Sequence, residues 1–301
     1  MKIEKLGPTA FIAIDLDGAP CSAGIVRSAP KILQGGAKDL ARSATYTFAL
    51  RGLQVGGASA GISAEPEDRD GAIAAFVDAI LPRVEAGELA VDPGKGVPAE
   101  ALSALVEKDP RAAVRRESID GRPIEDHLAG LGAVVAAEAA LGSLDGARAG
   151  VEPGPAAEAV TAVLAARGVS DVRDSISEEV DVAFCGSRAG VIDGETAEAI
   201  SARLVVPIGP LALSAKGLAV LRRRGIVALP DFLALSGPSY AGWPAGEATV
   251  DAVLADAEAG IAGMVGEVLA HDEGPVLGAC YRAESFLSTW QDTLPFGRPL
   301  A

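Results

Sequence analysis

Short apolar segments alternate with helical patterns over residues 147–229, and this alternation is the feature that most constrains the fold. A strand that is followed by a helix and then by another strand returns to the sheet in parallel. The pattern therefore predicts a parallel sheet with helices on both faces. The candidate strands are 147–151, 181–184, 204–207 and 225–229, and the candidate helices are 155–167, 196–203 and 214–224.

The rest of the chain also contains recognisable strands and helices. Helices are predicted where apolar residues recur at helical spacing, and strands where a short apolar run ends in turn residues. The glycine-rich run Val55–Ile62 predicts a turn, and the polar residues 107–126 predict a loop or hinge. The other predicted elements are strands at 10–18 and 89–92, helices at 34–50, 70–84 and 125–141, and two helices within 247–290.

The composition excludes several classes of protein. Of the 301 residues, 49% are hydrophobic and 4% aromatic, which predicts a large core of Ala, Val, Leu and Ile. The net charge of −15 argues against nucleic acid or an anionic membrane as a main partner. Three scattered cysteines and two histidines form no zinc-binding pattern, so no metal is expected. We expect a cytoplasmic protein, because the sequence has no signal-peptide or membrane-spanning pattern and few thiols.

Three segments resemble, in order and spacing, the motifs of one enzyme family. Residues Leu40–Ile62 are similar to a helix of the form M-T-x-K-N-A that leads into G-G-(G/A)-K. Residues Asp181–Ile192 are similar to the family's D-I-x-x-P-A-A run. Residues Gly225–Gly237 resemble G-I-x-x-x-P-D-x-x-x-N-A-G-G, and Ser239–Trp243 resemble an S-Y-x-E-W segment. Together the three segments resemble the Glu/Leu/Phe/Val dehydrogenase family, in which S-Y-x-E-W is found in the glutamate enzymes.

The resemblance covers about residues 10–245 and implies an α/β protein of two domains. Residues 1–128 would form an amino-acid-dehydrogenase-type α/β domain that holds the substrate and builds the oligomer. The C-terminal helices at 270–301 would pack back onto it. Residues 129–269 would form a Rossmann-like domain of the dinucleotide-binding type, with a parallel sheet.

The two lysines that this family uses for chemistry are replaced. The resemblance places Thr47 and Ser59 at their positions, and neither hydroxyl is cationic or titrates near neutral pH. The family's catalytic aspartate is matched by Asp92, which either keeps that position or caps a turn. Lys95, otherwise a solvated loop residue, and Arg27, with a one-residue shift, are candidates for a relocated cation.

The turn that would cradle a dinucleotide is also altered. The family has G-x-G-x-x-G/A there, and in this chain Glu152, Gly154 and Ala157 take the three places. The Glu152 carboxylate would put negative charge where the pyrophosphate sits, and the flanking prolines remove backbone N–H donors. Asp174 or Asp171 is the candidate for the ribose-binding acid, and a surface position in a loop is the alternative.

Other polar and aromatic residues have interpretations that compete with a functional one. Tyr240 and Trp243 either line the active-site cleft or pack in the core. We expect His127 and His271 at the surface or at helix ends, because their spacing matches no metal site or catalytic triad. Arg222–Arg224 are expected to cap the end of a helix, where cations suit the helix dipole.

The losses fall on the chemistry while the apolar pattern persists. The sequence therefore predicts a catalytically degenerate homologue, a pseudoenzyme that serves as a regulatory or binding partner. The alternatives are a divergent NAD(P)-dependent oxidoreductase acting on an amino acid or related CH–NH2 substrate, and a small-molecule binding module that kept the cleft. The expected cofactor is accordingly none or NAD(P). The resemblance implies a homo-oligomer, and a catalytic paralogue is the candidate partner.

Overall fold

The structure is a computed structural model that describes residues 1–154 and 156–301. It consists of two compact units. Unit 1 comprises Met1–Pro110 and Glu284–Pro299, and unit 2 comprises Arg111–Ala283 and Leu300–Ala301. The domain limits at residues 128 and 269 stay a prediction.

Unit 1 contains a mixed five-stranded sheet and the helices packed on it. In chain order its elements are β1 (Lys2–Leu6), β2 (Ala10–Ile14), β3 (Cys21–Ala29), α1 (Gln34–Leu50), β4 (Val55–Ser63), α2 (Arg69–Glu85), β5 (Leu89–Pro93) and α3 (Ser103–Lys108). The strands lie in the order β1-β2-β4-β3-β5. The β1–β2 and β2–β4 pairs are antiparallel, and the β4–β3 and β3–β5 pairs are parallel.

The two faces of this sheet have different partners. On one face, alternate strand residues such as Ile12, Ala58 and Val91 share a hydrophobic cluster with Phe76 of α2. On the opposite face, β2 residues pack with Ala41 of α1 in a smaller cluster. Because successive side chains of a strand point to opposite faces, the residues next to those of the first cluster belong to the α1 face.

The prediction of a turn at Val55–Ile62 is wrong, because these residues form most of the buried central strand β4. Helix α1 crosses this strand so closely that a Cβ at Gly57 would lie 1.7 Å from the carbonyl oxygen of Ala41. The backbone N–H of Gly57 donates a hydrogen bond to the Thr45 hydroxyl of α1 at 2.9 Å. Gly57 is therefore needed for the close approach of a helix and not for a change of chain direction.

Unit 2 contains a parallel sheet, a short hairpin and several helices. Its elements are β6 (Ser118–Ile119), β7 (Arg122–Pro123), α4 (Ile124–Leu141), β8 (Arg148–Val151), α5 (Ala157–Ala166), β9 (Asp171–Arg173), β10 (Val182–Cys185), α6 (Gly194–Ala199), β11 (Leu204–Pro207), α7 (Ala215–Arg223), β12 (Val227–Ala228), α8 (Asp231–Ala234), α9 (Pro238–Gly242), α10 (Val250–Leu269) and α11 (Pro275–Leu287), whose last turn belongs to unit 1. Residue 155, the predicted start of the α5 helix, lies outside the described residues. Within the segment 107–126, predicted as a loop or hinge, the chain forms the end of α3, a 3-10 turn at Ala113–Arg116 and the β6–β7 hairpin.

The main sheet of unit 2 is parallel throughout, which confirms the prediction from the strand–helix alternation. Its strands lie in the order β12-β11-β10-β8-β9, and β10 and β11 are buried along their whole length. The first strand, β8, has β9 on one side and β10 on the other, so the winding of the sheet reverses between β8 and β10. In open α/β sheets, ligands bind in the crevice outside the carboxyl ends of two such strands. This crevice is where a site is expected.

Small residues let the helices of unit 2 pack closely. A Cβ at Gly130 of α4 would lie 2.5 Å from the carbonyl carbon of Ala159 in α5. A Cβ at Gly132 would lie 2.7 Å from the carbonyl oxygen of Ala234. Glycine at these two positions therefore lets the backbone of α4 contact the backbones of α5 and α8 directly. In the part of the chain that the structure describes, none of the helices combines the length and hydropathy needed to span a lipid bilayer.

Candidate functional site

A carboxylate of the chain itself spans the crevice between β8 and β10. Glu152 is the first residue after β8, and Gly186 and Ser187 follow β10. Oε2 of Glu152 accepts hydrogen bonds from the backbone N–H of Gly186 at 2.8 Å and from that of Ser187 at 3.1 Å. Oε1 accepts from the Ser187 hydroxyl at 2.7 Å. The loop after β10 thus presents three donors to one internal anion.

These donors are of the kind that binds phosphate groups elsewhere. Backbone N–H groups that converge at the end of a strand or the start of a helix form anion sites, and their bonds to a carboxylate are charge-assisted. A phosphate oxygen that approached the same donors would meet the negative charge of Glu152. As they stand, these residues do not fit the pyrophosphate of a dinucleotide.

The buried thiol beside this crevice is unreactive near neutral pH. Cys185 ends β10 and has no exposed surface. Burial raises the pKa of its thiol, and the nearby charge of Glu152 raises the pKa further. Because the thiolate is the reactive form, Cys185 does not act as a nucleophile near neutral pH.

Gly154 and Ala157 lie at the start of α5, as the resemblance implied for the glycine-rich turn. The backbone N–H of Ala157 donates to the carbonyl oxygen of Gly154 at 3.1 Å, which closes a turn there. A Cβ at Gly154 would lie 3.5 Å from the Cα of Ser187, an ordinary contact distance. No contact within the described part of the chain therefore requires a glycine at this position.

Of the two candidates for the ribose-binding acid, Asp174 has the better position. It is the first residue after β9 and its side chain is exposed, at the carboxyl end of a strand next to β8. Asp171 lies at the beginning of β9 and is paired with Arg173 at 3.1 Å, which lowers the pKa of its carboxyl. Asp171 is thus engaged with its own strand.

The three residues at the family's catalytic positions lie in unit 1. Ser59 of β4 and Asp92 of β5 are both in register with Ile25 of the intervening strand β3. The register places Ser59, Ile25 and Asp92 in one row on the α1 face, with the outer two about 10 Å apart at the usual strand spacing. Thr47 lies on α1, and its hydroxyl donates to the carbonyl oxygen of Ser43 at 3.2 Å.

On the α1 face of this sheet, two polar atoms are buried without a hydrogen-bond partner in the described part of the chain, and a third, the Ser28 hydroxyl of β3, is buried in the same way on the opposite face. Those on the α1 face are the hydroxyl of Ser59 and Nε of Arg27, and Arg27 lies two residues after Ile25 on β3. Burial lowers the pKa of Arg27, although a guanidinium keeps its charge in proteins. Lys95 is exposed beyond the end of β5, as a solvated loop lysine would be.

Two residues that the sequence did not single out hold the loops of unit 2. Ser187 gave no signal, because its partner Glu152 is far away in the sequence and becomes a neighbour only through the strand order. Asp231, within the motif Gly225–Gly237, is buried and accepts a hydrogen bond from the backbone N–H of Leu211 at 2.7 Å. That bond supports a left-handed backbone at Leu211, whose φ is 57°.

The aromatic residues of the third motif make contacts within unit 2. Tyr240 is buried, and a Cβ at Gly260 of α10 would lie 2.1 Å from its hydroxyl oxygen, so it packs tightly on that helix. Trp243 has the guanidinium of Arg111 above its ring, 5.5 Å from the centroid. Both contacts favour a packing role for these side chains.

Solved structures of amino-acid dehydrogenases share the fold of this chain. A hetero-hexameric glutamate dehydrogenase from Thermus thermophilus, in its Leu-bound form, matches with a TM-score of 0.76 and 20% identity, over 95% of this chain and 86% of that one. Glutamate dehydrogenase from Peptoniphilus asaccharolyticus matches with a TM-score of 0.71 and 18% identity, over 94% and 86%. L-tryptophan dehydrogenase from Nostoc punctiforme matches with a TM-score of 0.64 and 17% identity, over 93% and 92%.

No protein-family model and no curated protein sequence matches the chain. The structural matches cover most of both chains at low identity. The chain therefore has the two-domain α/β fold of amino-acid dehydrogenases.

Proposed function

We propose that this chain is a catalytically degenerate relative of the amino-acid dehydrogenases, a pseudoenzyme that acts as a regulatory or binding partner of a catalytic subunit. The observation that carries this proposal is the Glu152 carboxylate, which uses the donors of Gly186 and Ser187 in the crevice of the parallel sheet. With an internal anion there, the chain does not hold NAD(P) and supplies no hydride acceptor.

The residues at the family's catalytic positions support the same proposal. Oxidative deamination in this family depends on two lysines, and the chain has Thr47 and Ser59 in their places. The Thr47 hydroxyl is used within its own helix, and Ser59 is fully buried. Neither side chain can bind a substrate carboxylate as a cation or move a proton near neutral pH.

The oligomeric form of a structural neighbour indicates how such a subunit could act. The Thermus thermophilus glutamate dehydrogenase is hetero-hexameric. A fold that builds mixed oligomers can place a degenerate chain beside a catalytic one. We propose that this chain forms homo-oligomers and also co-assembles with a catalytic paralogue in the cytoplasm.

Co-expression with such a paralogue tests this proposal. The partner is a dehydrogenase from the same genome that has both lysines, and each chain carries a different affinity tag. We expect the two chains to co-purify in one complex whose turnover differs from that of the catalytic chain alone. Failure of every such paralogue to co-assemble, or turnover of an amino acid by this chain alone, would contradict the proposal.

A divergent oxidoreductase is the second candidate, and the row of residues on the α1 face of unit 1 favours it. Ser59 and Arg27 have buried polar atoms without partners in the described part of the chain, and Asp92 lies in the same row as Ser59. The unpartnered atoms of Ser59 and Arg27 are of the kind that a ligand completes. In this account Asp92 manages a proton and Arg27 replaces the lost lysines.

Substitution of Asp92 distinguishes the two candidates. If the chain is an oxidoreductase, Asp92→Asn abolishes NAD(P)+-dependent oxidation of amino acids while leaving the thermal unfolding midpoint unchanged. Asp78→Asn, at an exposed position of α2, is the control. Equal activity in both variants removes the role given to Asp92, and the lack of any activity in the wild type favours the pseudoenzyme.

A further inference from the structure

A second cavity lies in unit 2 and shares no residue with the crevice between β8 and β10. Its volume is about 370 Å³, within the range of small-molecule sites. It is bordered by the β6–β7 hairpin and by helices α4, α5 and α10. Its apolar wall consists of Ile119, Leu131, Ala162, Val163 and Ala166.

The charges around this cavity divide into those that are paired and those that are not. The Arg167 guanidinium donates to the carboxylates of Glu138 and Glu258, which bind it from two helices. Asp120 and Arg122 also line the cavity, and neither has a hydrogen bond or ion pair through its side chain within residues 1–154 and 156–301. One cation and one anion therefore remain available to a ligand.

The hairpin fixes the positions of these two charges. Ile119 pairs with Arg122, and the two residues between them, Asp120 and Gly121, have φ values of 51° and 77°. Positive φ at both central residues is what a tight type I′ hairpin turn requires. The backbone that carries Asp120 and Arg122 is therefore defined by the turn before any ligand binds.

The remaining polar side chain of this cavity is a histidine that carries no charge at neutral pH. His127 lies in the first turns of α4, half-buried. Burial and the charge of Arg122 lower the pKa of its imidazole, while Asp120 opposes the shift. A neutral imidazole offers one donor and one acceptor and does not compete with Arg122 for an anion.

We propose that this cavity binds a small carboxylic acid with a compact apolar body, whose carboxylate pairs with Arg122 and whose body lies on the wall formed with Leu131 and Val163. Arg122 is suited to this role, because a guanidinium binds a carboxylate with two parallel hydrogen bonds. An amino acid would in addition place its ammonium at Asp120. The inference stands apart from the proposed function, since it involves neither a dinucleotide nor a partner chain.

Calorimetric titration of the full chain with three probes of similar shape tests the ligand class. The probes are 4-methylpentanoate, L-leucine and 3-methylbutylamine. We expect both carboxylates to bind and the amine not to bind. Tighter binding of leucine identifies the ligand as an amino acid whose ammonium pairs with Asp120. Tighter binding of 4-methylpentanoate identifies the ligand as a simple or oxo acid. No heat with either carboxylate at about 10 mM, or binding of the amine as tight as that of the acids, overturns the proposal.

Two variants test the residues. Arg122→Gln is expected to weaken binding of 4-methylpentanoate by about tenfold or more, because a charge-assisted pair is lost. Ala162→Phe, which fills the apolar part of the cavity, is expected to abolish binding while leaving the charges in place. Arg203→Gln is the control, since that side chain is 70% exposed and pairs with Asp181 outside the cavity. Wild-type affinity in both the Arg122 and Ala162 variants would overturn the proposal.

Discussion

Glu152 joins two strand ends through three hydrogen bonds, and its removal has a measurable cost. Because Glu152→Ala leaves the N–H groups of Gly186 and Ser187 without their acceptor, we expect a loss of about 1–3 kcal/mol in unfolding free energy. Glu158→Ala, at an exposed position in the first turn of α5, is the matched control and is expected to cost about 0.5 kcal/mol or less. Urea unfolding followed by circular dichroism measures both values. Equal losses in the two variants would contradict the role given to Glu152.

Gly57 is the residue at which helix α1 and strand β4 come closest. An added Cβ would lie 1.7 Å from the carbonyl oxygen of Ala41 and 2.6 Å from the backbone nitrogen of Thr45. Since both neighbours are backbone atoms, we expect Gly57→Ala to destabilise the chain by about 3 kcal/mol or more.

Gly35 provides the control for this substitution. It lies in the first turn of α1 and a Cβ there meets nothing within 4 Å. Gly35→Ala is therefore expected to stabilise the chain by about 0.5–1 kcal/mol. Thermal unfolding of the two variants and the wild type tests both expectations, a lower midpoint for Gly57→Ala and a higher one for Gly35→Ala. A Gly57→Ala protein with the same unfolding temperature as the wild type would show that the helix and the strand can move apart without loss of stability.

At the residue scale, the motifs located the candidate positions but not their surroundings. The conflict between a carboxylate and a pyrophosphate at Glu152 follows from charge alone and could be predicted. That Ser187 completes the arrangement could not, because the two residues become neighbours only through the order of the strands. Likewise, the unpartnered hydroxyl of Ser59 could not be foreseen while its segment was taken for a turn.

Most long elements could be predicted because their apolar spacing and turn residues agree with the fold. Helices α1, α2 and α4 begin and end within one residue of the predicted limits. The wrong prediction at Val55–Ile62 arose because glycine normally weakens strands. In β4 the tertiary structure overrides that preference. The strand is hydrogen-bonded to β2 on one side and β3 on the other, and helix α1 lies so close that a side chain at Gly57 would not fit. The edge strand β9 is three residues long, with Asp171 and Arg173 at its ends, and gives no apolar signal.

The end of α11 is held in unit 1 by Glu284. Its carboxylate accepts hydrogen bonds from Nε and an NH2 group of Arg298 at 2.7 and 2.8 Å and from the Tyr46 hydroxyl at 3.0 Å. The pairing with Arg298, and secondly the Tyr46 bond, lower the pKa of Glu284 in the folded chain from its ordinary 4.5. The stabilisation is therefore present above about pH 4.5 and is lost as the pH falls through the lower folded value.

Glu284→Gln tests this pH dependence. At pH 7 the variant is expected to be less stable by about 1–2 kcal/mol, because charge-assisted hydrogen bonds are replaced by neutral ones. Below pH 4.5 the gap between variant and wild type is expected to narrow, since the wild type then protonates as well. Unfolding free energies measured across the acid range give the comparison. A gap that stays constant with pH would mean that the carboxylate charge contributes nothing.

At the scale of the whole molecule, the alternation of strands and helices sufficed to predict the parallel sheet of unit 2. It could not supply the strand order, which depends on contacts between segments that are distant in the sequence. The resemblance of three ordered motifs supplied the architecture, and the structural matches confirm that fold. Oligomerisation stays a prediction, and it rests on the family resemblance because the pattern of strands and helices does not indicate it.

An exposed apolar segment in unit 1 makes self-association testable. Phe296 is 100% exposed and Leu294 is 46% exposed, while Arg42 donates hydrogen bonds to the carbonyl oxygens of Phe296 and Gly297. An aromatic side chain on a fixed backbone with no cover is suited to an interface between chains. We expect Phe296→Ser to lower the molar mass measured by light scattering without changing the thermal unfolding midpoint. Val227→Thr, at an exposed position of unit 2, should leave the mass unchanged, and an unchanged mass in Phe296→Ser would exclude this contact.

The central claim is that the crevice between β8 and β10 serves an internal carboxylate and does not take a dinucleotide. Calorimetric titration of the purified wild-type chain with NADH, repeated with NADPH, tests it most directly. Because the Glu152 charge lies at the donors that a pyrophosphate would need, we predict no measurable binding up to millimolar cofactor. Binding of either cofactor at micromolar concentration would contradict the account. It would show that the pyrophosphate binds well although the Glu152 carboxylate lies at the three donors.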